Sequence, residues 1–214
     1  RMAIQYPGST EPLTDSVLTS MAEGRIPNIV GQTSRGDDGA EITGLDLSQP
    51  IPPATLAELR KVWLERKVLF FRDQTLTPDS YMAFAENFGT PVEYPLIKGI
   101  EGYPAITEIV KREDETANFG GVWHADTTYV ECPPMGTMLH AIQVPPYGGD
   151  TLFANQVLAY EALSSGMQRL LAGLRGVSSS AKADTTRSRE DRIADSGRAD
   201  RREEYLVEHP VVRI

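Results

Sequence analysis

The sequence predicts an α+β fold, in which helices accompany short strands and the strands of the second half form a sandwich or barrel. Three observations lead to this class. Two strand-like segments bracket a helical pattern within residues 40–71. Short apolar segments separated by Gly/Pro turns follow from about residue 103 to 153. Hydrophobic residues make up 40% and charged residues 24% of the chain, which is enough apolar surface for a core.

The first predicted elements are a strand, a helix and a second strand. Residues 40–47 alternate apolar and polar side chains, as a strand with one buried face does. Pro52 and Pro53 then open a helix. Its apolar face consists of Leu56, Leu59, Val62 and Trp63. Residues 68–71, Val-Leu-Phe-Phe, are wholly apolar, which predicts a strand buried on both faces.

A second helix is predicted to begin after Thr77. Threonine is a good N-cap, Pro78 suits the first helical position, and Asp79 favours the positive end of the helix dipole. The apolar stripe consists of Tyr81, Phe84 and Phe88. Gly89 is expected to end the helix at the C′ position.

Short strands are predicted for much of the second half of the chain. They are expected at residues 106–110, 123–130, 136–144 and 151–153. Two helices should follow near residues 155–163 and 165–174, with Ser164 or Ser165 as the cap of the second. A last strand is expected to begin at His209.

The domain organisation predicted is a single domain over residues 29–214 with an N-terminal extension over residues 1–28, where periodicity is weak. Residues 182–204 carry equal numbers of basic and acidic side chains. A run of this kind is typical of a solvated helix or mobile loop. The functional alternative is an active-site lid, which we place at residues 178–204.

Charge and cysteine content exclude several classes of function. The net charge is −9 and no basic cluster appears, so nucleic-acid partners are not expected. The single cysteine, Cys132, rules out an intramolecular disulfide and a multi-cysteine zinc site. No apolar run reaches the ~20 residues of a membrane span, and the N-terminus has no apolar signal core. We therefore expect a cytoplasmic protein without membrane partners.

A histidine and a carboxylate stand two residues apart in the segment Trp123-His124-Ala125-Asp126. On a strand, residues i and i+2 point to the same face, so both side chains could meet one metal ion. Two legs of a 2-His-1-carboxylate iron site are built in this way. Chance alone gives roughly 0.4 matches to His-x-acid in such a chain. A surface histidine beside a solvated aspartate is therefore the competing interpretation.

The surrounding motifs add to this pair. In order along the chain they are Gly44–Leu47, Val68–Gln74, Phe88-Gly89, Trp123–Tyr129, Pro133-Pro134, Pro146–Thr151, Tyr160–Leu163 and His209–Arg213. This ordered series, over about residues 38–214, resembles the TauD/TfdA family, which includes taurine dioxygenase and aryloxyalkanoate dioxygenases.

The resemblance implies a double-stranded β-helix, a jelly-roll or cupin-like barrel with flanking helices, that binds Fe(II) and 2-oxoglutarate. It implies that the enzyme uses O₂ to hydroxylate a small, anionic organic substrate, releasing succinate and CO₂. It makes His124 and Asp126 iron ligands, and Thr151 a hydrogen-bond partner of a 2-oxoglutarate carboxylate.

The family's distal histidine ligand and its cofactor-binding arginine match no position in this sequence. Neither His140 nor His209 matches the distal ligand, and Arg213 does not match the arginine. In the family both lie well past the His-Pro-Val-Val-Arg strand. We therefore expect roughly a quarter of a family-length protein to lie beyond residue 214.

The substrate is less defined than the reaction. Taurine dioxygenases have a histidine and an asparagine where the register places Tyr94 and Gly120, so taurine itself is doubtful. Tyr94 could line a pocket for a larger or aromatic substrate, or simply pack at the start of a strand. Lys182 could meet an anionic substrate. Two other functions stay open: a non-catalytic β-barrel binding protein, and a cupin-like metal enzyme that does not use 2-oxoglutarate. A homo-oligomer is also left open.

Overall fold

A computed structural model describes residues 2–5, 29–30, 39–111, 121–146, 148, 150–182 and 204–213. The chain divides into two compact units, one of residues 6–89 and the other of residues 1–5 with 90–214. This division is finer than the predicted single domain of residues 29–214. Within the described ranges, no helix is both long and apolar enough to span a membrane.

The unit of residues 6–89 contains a three-stranded sheet and two helices. Its elements are β2 (Ile29–Val30), β3 (Ala40–Ile42), α1 (Pro53–Arg66), β4 (Leu69–Phe71) and α2 (Pro78–Glu86). The strand order is β2-β3-β4, with β3 antiparallel to β2 and parallel to β4. A parallel pair needs a crossover connection, and α1 lies in that connection.

Helix α1 buries the face that its sequence predicts. Leu59 and Val62 are almost fully buried. The ring of Trp63 meets the ring of Phe88 edge-on, with the centroids 5.6 Å apart. Phe88 also packs against Phe84 of α2, at 5.3 Å. These aromatic contacts form the core that joins the two helices.

Helix α2 begins as predicted, with a reciprocal capping box. The Thr77 hydroxyl accepts a hydrogen bond from the Ser80 N–H, and the Ser80 hydroxyl accepts one from the Thr77 N–H. The predicted end is wrong. The helix ends at Glu86 with Asn87 as its C-cap, and the side chain of Asn87 donates to the carbonyls of the last turn, so Gly89 is not the C′ residue.

Strand β4 does not have the two buried faces expected of residues 68–71. Phe70 is 43% exposed, while its neighbours are half-buried. The two faces of the strand have different surroundings, because the ring of Phe71 packs against Phe84 of α2 while Phe70 points to the opposite face. An apolar run alone does not show whether both faces of a strand are covered.

The side chain of Gln74 links the segment after β3 to the segment after β4 by hydrogen bonds. Its side-chain oxygen accepts from the N–H of Leu47 at 2.9 Å. Its amide nitrogen donates to the carbonyls of Leu45 and Arg72 at 3.0 and 2.8 Å. Two of the motifs singled out in the sequence are thereby held together.

The second unit contains a three-stranded sheet that includes the N-terminus. β1 (Met2–Gln5) pairs antiparallel with both β5 (Thr90–Val92) and β6 (Gly136–Met138), in the order β5-β1-β6. Met2 is 1% exposed. Residues 2–5, which were predicted to belong to an N-terminal extension, thus form the central strand of this sheet. The sequence did not indicate this strand, because four residues are too few to show a period. Residues 6–28 lie outside the described part.

The described part of this unit also contains two helices and a strand pair. α3 (Gln156–Glu161) and α4 (Ser165–Ala172) agree with the prediction, and Ser164 is the cap of α4. β7 (Arg175–Ser179) leads into a 3₁₀ turn (Ser180–Lys182) and pairs antiparallel with β8 (Leu206–Pro210). β8 begins three residues before the expected position. Most of the predicted lid, residues 183–203, falls outside the described residues.

Several predicted strands are wrong. Residues 106–110 and 151–153 are irregular, residues 126–129 form a turn, and the strand expected over residues 136–144 is limited to residues 136–138. Alternating apolar residues give a strand only where another strand offers hydrogen-bonding partners, and the sequence does not show where these are. In the described part of the chain the three sheets are small and open.

Candidate metal centre

The candidate centre lies on a short turn between β5 and β6. Residues 123–125 are irregular and residues 126–129 turn, with the Val130 N–H bonded to the Thr127 carbonyl at 3.2 Å. Thr127 has φ +49°, in the left-handed region. This conformation is costly for a β-branched residue and marks local strain.

Strand β8 holds the end of this turn. The Nε2 of His209 lies 3.1 Å from the Val130 carbonyl. A carbonyl only accepts hydrogen bonds, so this nitrogen carries the proton and donates. His209 therefore has a structural role in this unit.

The backbone orients the imidazole of His124. Its Nδ1 lies 2.6 Å from the carbonyl oxygen of Val122, so Nδ1 carries the proton. In the neutral ring Nε2 then has no proton and carries a free lone pair. It lies 3.3 Å from Oδ1 of Asp126. Both atoms carry lone pairs, and a cation between them would offset their repulsion. A metal-binding histidine usually has its other nitrogen fixed in this manner.

The separation of these two atoms suits a shared metal ion. A nitrogen and an oxygen that each lie about 2.1 Å from one ion, at a right angle, are about 3.0 Å apart. The observed 3.3 Å corresponds to an angle slightly wider than a right angle. The side chains of His124 and Asp126 are 45% and 33% exposed, so an ion and its other ligands can reach them.

The second carboxylate oxygen of Asp126 is already engaged. Oδ2 accepts a hydrogen bond of 2.8 Å from the hydroxyl of Thr137 on β6. Each oxygen of the carboxylate therefore has its own partner, Thr137 on one side and His124 on the other. The strand expected over residues 123–130 is wrong, but the turn brings the i and i+2 side chains together all the same.

The other predicted site residues have different surroundings. Thr151 is exposed on the irregular segment that leads into α3, and His140 is half-buried just after β6. Lys182 ends the 3₁₀ turn, and its side chain is outside the described part, as is Gly120. Across the described residues, no group of three or more His, Cys, Asp or Glu side chains could hold a metal. A third protein ligand for a metal would have to come from outside the described residues.

Tyr94 lies beside the turn and contacts it through Tyr129. The buried Tyr129 donates a hydrogen bond to the hydroxyl of Tyr94 at 3.1 Å, and its ring packs 6.1 Å from the ring of Tyr205. A cavity of about 180 Å³ borders Tyr94. It is lined by Val92, Glu93, Tyr94, Pro95, Thr127, Val130, Cys132 and Pro134.

Sequence reasoning missed three contributors to this site. The Val122 carbonyl and the Thr137 hydroxyl have no motif that would reveal them. Tyr129 did have a signal, because it belongs to the motif that follows Asp126, but no role was assigned to it from the sequence.

Comparison with known proteins identifies the family of the chain. Residues 31–214 match the family described as taurine catabolism dioxygenase TauD, TfdA family. The chain belongs to the TauD/TfdA family. This match covers the turn with His124 and Asp126, helices α1 to α4 and strand β8, but not strand β1.

Among the relatives is an alpha-ketoglutarate-dependent sulfate ester dioxygenase of Pseudomonas putida, 33% identical over 84% of this chain and 60% of its own length. An alpha-ketoglutarate-dependent 2,4-dichlorophenoxyacetate dioxygenase of Cupriavidus pinatubonensis is 32% identical over 64% of this chain and 53% of its length. A crystal structure of a taurine dioxygenase from Burkholderia xenovorans, 32% identical, superposes with a TM-score of 0.67 over 87% of this chain and 59% of the other. The chain thus spans 53–60% of the length of these relatives.

Proposed function

We propose that the protein is an Fe(II)- and 2-oxoglutarate-dependent dioxygenase that hydroxylates a small, anionic organic substrate. The balanced reaction consumes the substrate, O₂ and 2-oxoglutarate and yields hydroxylated product, succinate and CO₂. The observation that carries the proposal is the 3.3 Å approach of His124 Nε2 to Asp126 Oδ1, on a turn that lies within the family match.

In this proposal His124 and Asp126 hold the metal as two of three protein ligands. The donor set fits Fe(II), because one imidazole and one carboxylate are what a 2-His-1-carboxylate site needs from this part of the chain. Bound Fe(II) would supply the oxygen chemistry. The hydrogen bond from His124 Nδ1 to the Val122 carbonyl would keep Nε2 directed at the metal. The hydrogen bond from Thr137 would keep Oδ2 of Asp126 occupied, so that Oδ1 is the oxygen that binds the metal.

We place the co-substrate next to this pair. Thr151 would donate a hydrogen bond to a carboxylate of 2-oxoglutarate, and its exposed position leaves the hydroxyl accessible. In the whole protein, the jelly-roll barrel of the family would surround the site. Apolar side chains support this, since Trp123, Leu139, Ile142 and Leu152 are 63–88% exposed in the second unit.

For the substrate we propose an organic anion of the sulfate ester, sulfonate or aryloxy acid type, rather than taurine. The names of the relatives include all three classes of substrate. Tyr94 borders the 180 Å³ cavity and could face an aromatic or alkyl group of the substrate. Gly120 and Lys182 remain candidate substrate positions.

Succinate release tests the proposal. The whole protein is incubated with Fe(II), ascorbate, 2-oxoglutarate, and a panel of sulfate esters, sulfonates and aryloxy acids. We expect substrate-dependent succinate, its loss in His124→Ala, and its retention in the matched control His140→Ala. Metal binding without any succinate would favour the cupin-like alternative, and the absence of both would favour the binding protein.

A further inference from the structure

The carboxylate of Asp126 depends on a residue outside the motif that contains it. Thr137 Oγ1 donates to Asp126 Oδ2 at 2.8 Å, while Oδ1 faces His124 Nε2 at 3.3 Å. This bond restricts rotation of the carboxylate about its Cβ–Cγ axis and occupies one of its two oxygens. The hydroxyl therefore selects the oxygen that remains for a metal.

The position of Thr137 depends in turn on the N-terminal strand. β6 lies at the edge of its sheet, and β1 is its neighbour. The register places Ala3 opposite Thr137 on β6 and opposite Val92 on β5. β5 leads within two residues to Tyr94. Strand β1 thus joins β5, which precedes Tyr94, to β6, which carries Thr137.

This support lies outside the part of the chain that matches the family. The match begins at residue 31, whereas β1 consists of Met2–Gln5. Met2 is 1% exposed, so the strand is anchored in the interior of its unit.

We infer that Thr137 is a positioning residue of the metal centre, and that strand β1 keeps it in place. The inference rests on the proposed function, because it takes His124 and Asp126 as metal ligands. Its consequence is that residues 2–5, far from the His-x-Asp motif in sequence, control how tightly and with what geometry the centre binds its metal.

The first test compares threonine variants of the whole protein in Mn²⁺ binding, followed by electron paramagnetic resonance of the free ion. Thr137→Val removes the hydroxyl at nearly constant volume, and we expect affinity to fall about tenfold. Thr137→Ser keeps the hydroxyl and should stay within about twofold of the wild type. Thr90→Val, on β5 of the same sheet, is the matched control and should leave affinity unchanged.

A spectroscopic readout separates positioning from general loss of structure. The visible absorption of bound Co²⁺ reports coordination geometry, so it should change in Thr137→Val and remain constant in Thr137→Ser and Thr90→Val. If Thr137→Val does not fold, Thr137→Ala takes its place, with the same expected loss.

The second test asks whether β1 acts through Thr137. Ala3→Pro removes a backbone N–H from β1 at the position paired with Thr137 and should weaken Mn²⁺ binding, with Ala3→Gly as the milder variant if the proline variant does not fold. In a double-mutant cycle, Ala3→Pro should cause little further loss once Thr137 is valine.

The outcomes distinguish this inference from the proposed function. Wild-type Mn²⁺ affinity and Co²⁺ spectrum in Thr137→Val, with binding lost in His124→Ala, would overturn the role of Thr137 and leave the proposed function intact. Additive losses in the cycle would overturn the role of β1. Unchanged metal binding in His124→Ala would overturn both the inference and the proposed function.

Discussion

Thr127, the residue after Asp126, offers a sharp test of the turn. Its hydroxyl oxygen is buried and has no hydrogen-bond partner among the described residues, and its φ is +49°. A buried hydroxyl without a partner costs about 1–3 kcal/mol, and a left-handed β-branched residue about 1–2 kcal/mol more. Both costs fall on one residue next to a proposed metal ligand.

Thr127→Val separates the two contributions. Valine keeps the β-branch and therefore the backbone strain, but it replaces the unpaired hydroxyl with a methyl group. We expect the free energy of unfolding to rise by about 1–2 kcal/mol, most of it from the removed desolvation cost. For a chain of this size, that corresponds to an increase in Tm of roughly 2–8 °C.

The assay is urea denaturation of wild type, Thr127→Val and Thr127→Gly, with Thr90→Val as control. Glycine also relieves the strain, but it loses a buried methyl group and adds entropy to the unfolded chain, costs of about 0.8 and 0.5–1 kcal/mol. Its net gain should therefore be comparable to that of valine. A Thr127→Val variant less stable than wild type by 1 kcal/mol or more would show that the hydroxyl has a partner, and would refute the reasoning.

Three further predictions concern the unit of residues 6–89. Thr77→Ala removes the capping box of α2 and should lower the free energy of unfolding by about 1 kcal/mol, with Ser80→Ala giving a smaller loss in the same denaturation assay. Gln74→Leu removes three hydrogen bonds to backbone groups and should cost about 1–3 kcal/mol, whereas a neutral result would mean that water replaces the amide fully. The hydroxyl and N–H of Ser48 hold the pKa of Asp46 below its ordinary value of 3.8. The stability from this carboxylate is present above about pH 4 and is lost as the pH falls through the folded pKa. NMR titration should show Ser48→Ala raising that pKa, and no change would contradict the assignment.

The helices were predictable because their signals are local. Thr77 and Pro78 mark the start of α2, and Ser164 caps α4, using hydrogen bonds that close within three residues. The strands were harder, because a strand depends on a neighbour distant in sequence. Met2–Gln5 shows no period over four residues, yet it forms the centre of a sheet. Residues 123–130 show strand-like alternation, but residues 126–129 form a turn.

In the candidate site, too, residues close together in sequence could be predicted, whereas contacts between residues distant in sequence could not. The prediction of His124 and Asp126 rested on the ordered motifs around them as well as on their spacing. That two-residue spacing brings side chains together in a tight turn as well as on a strand. Thr137 could not be selected, since its contact with Asp126 depends on where β6 lies relative to the turn. The family resemblance added Thr151 and the co-substrate, which no spacing rule would indicate.

Anaerobic equilibrium dialysis of Fe(II) tests the central claim most directly. The account predicts about one Fe(II) per chain for the whole protein in the presence of 2-oxoglutarate. It predicts the same stoichiometry for His140→Ala, and loss of the bound ion in both His124→Ala and Asp126→Ala. Retention of the full stoichiometry in both ligand variants would contradict the account, because the metal would then lie elsewhere.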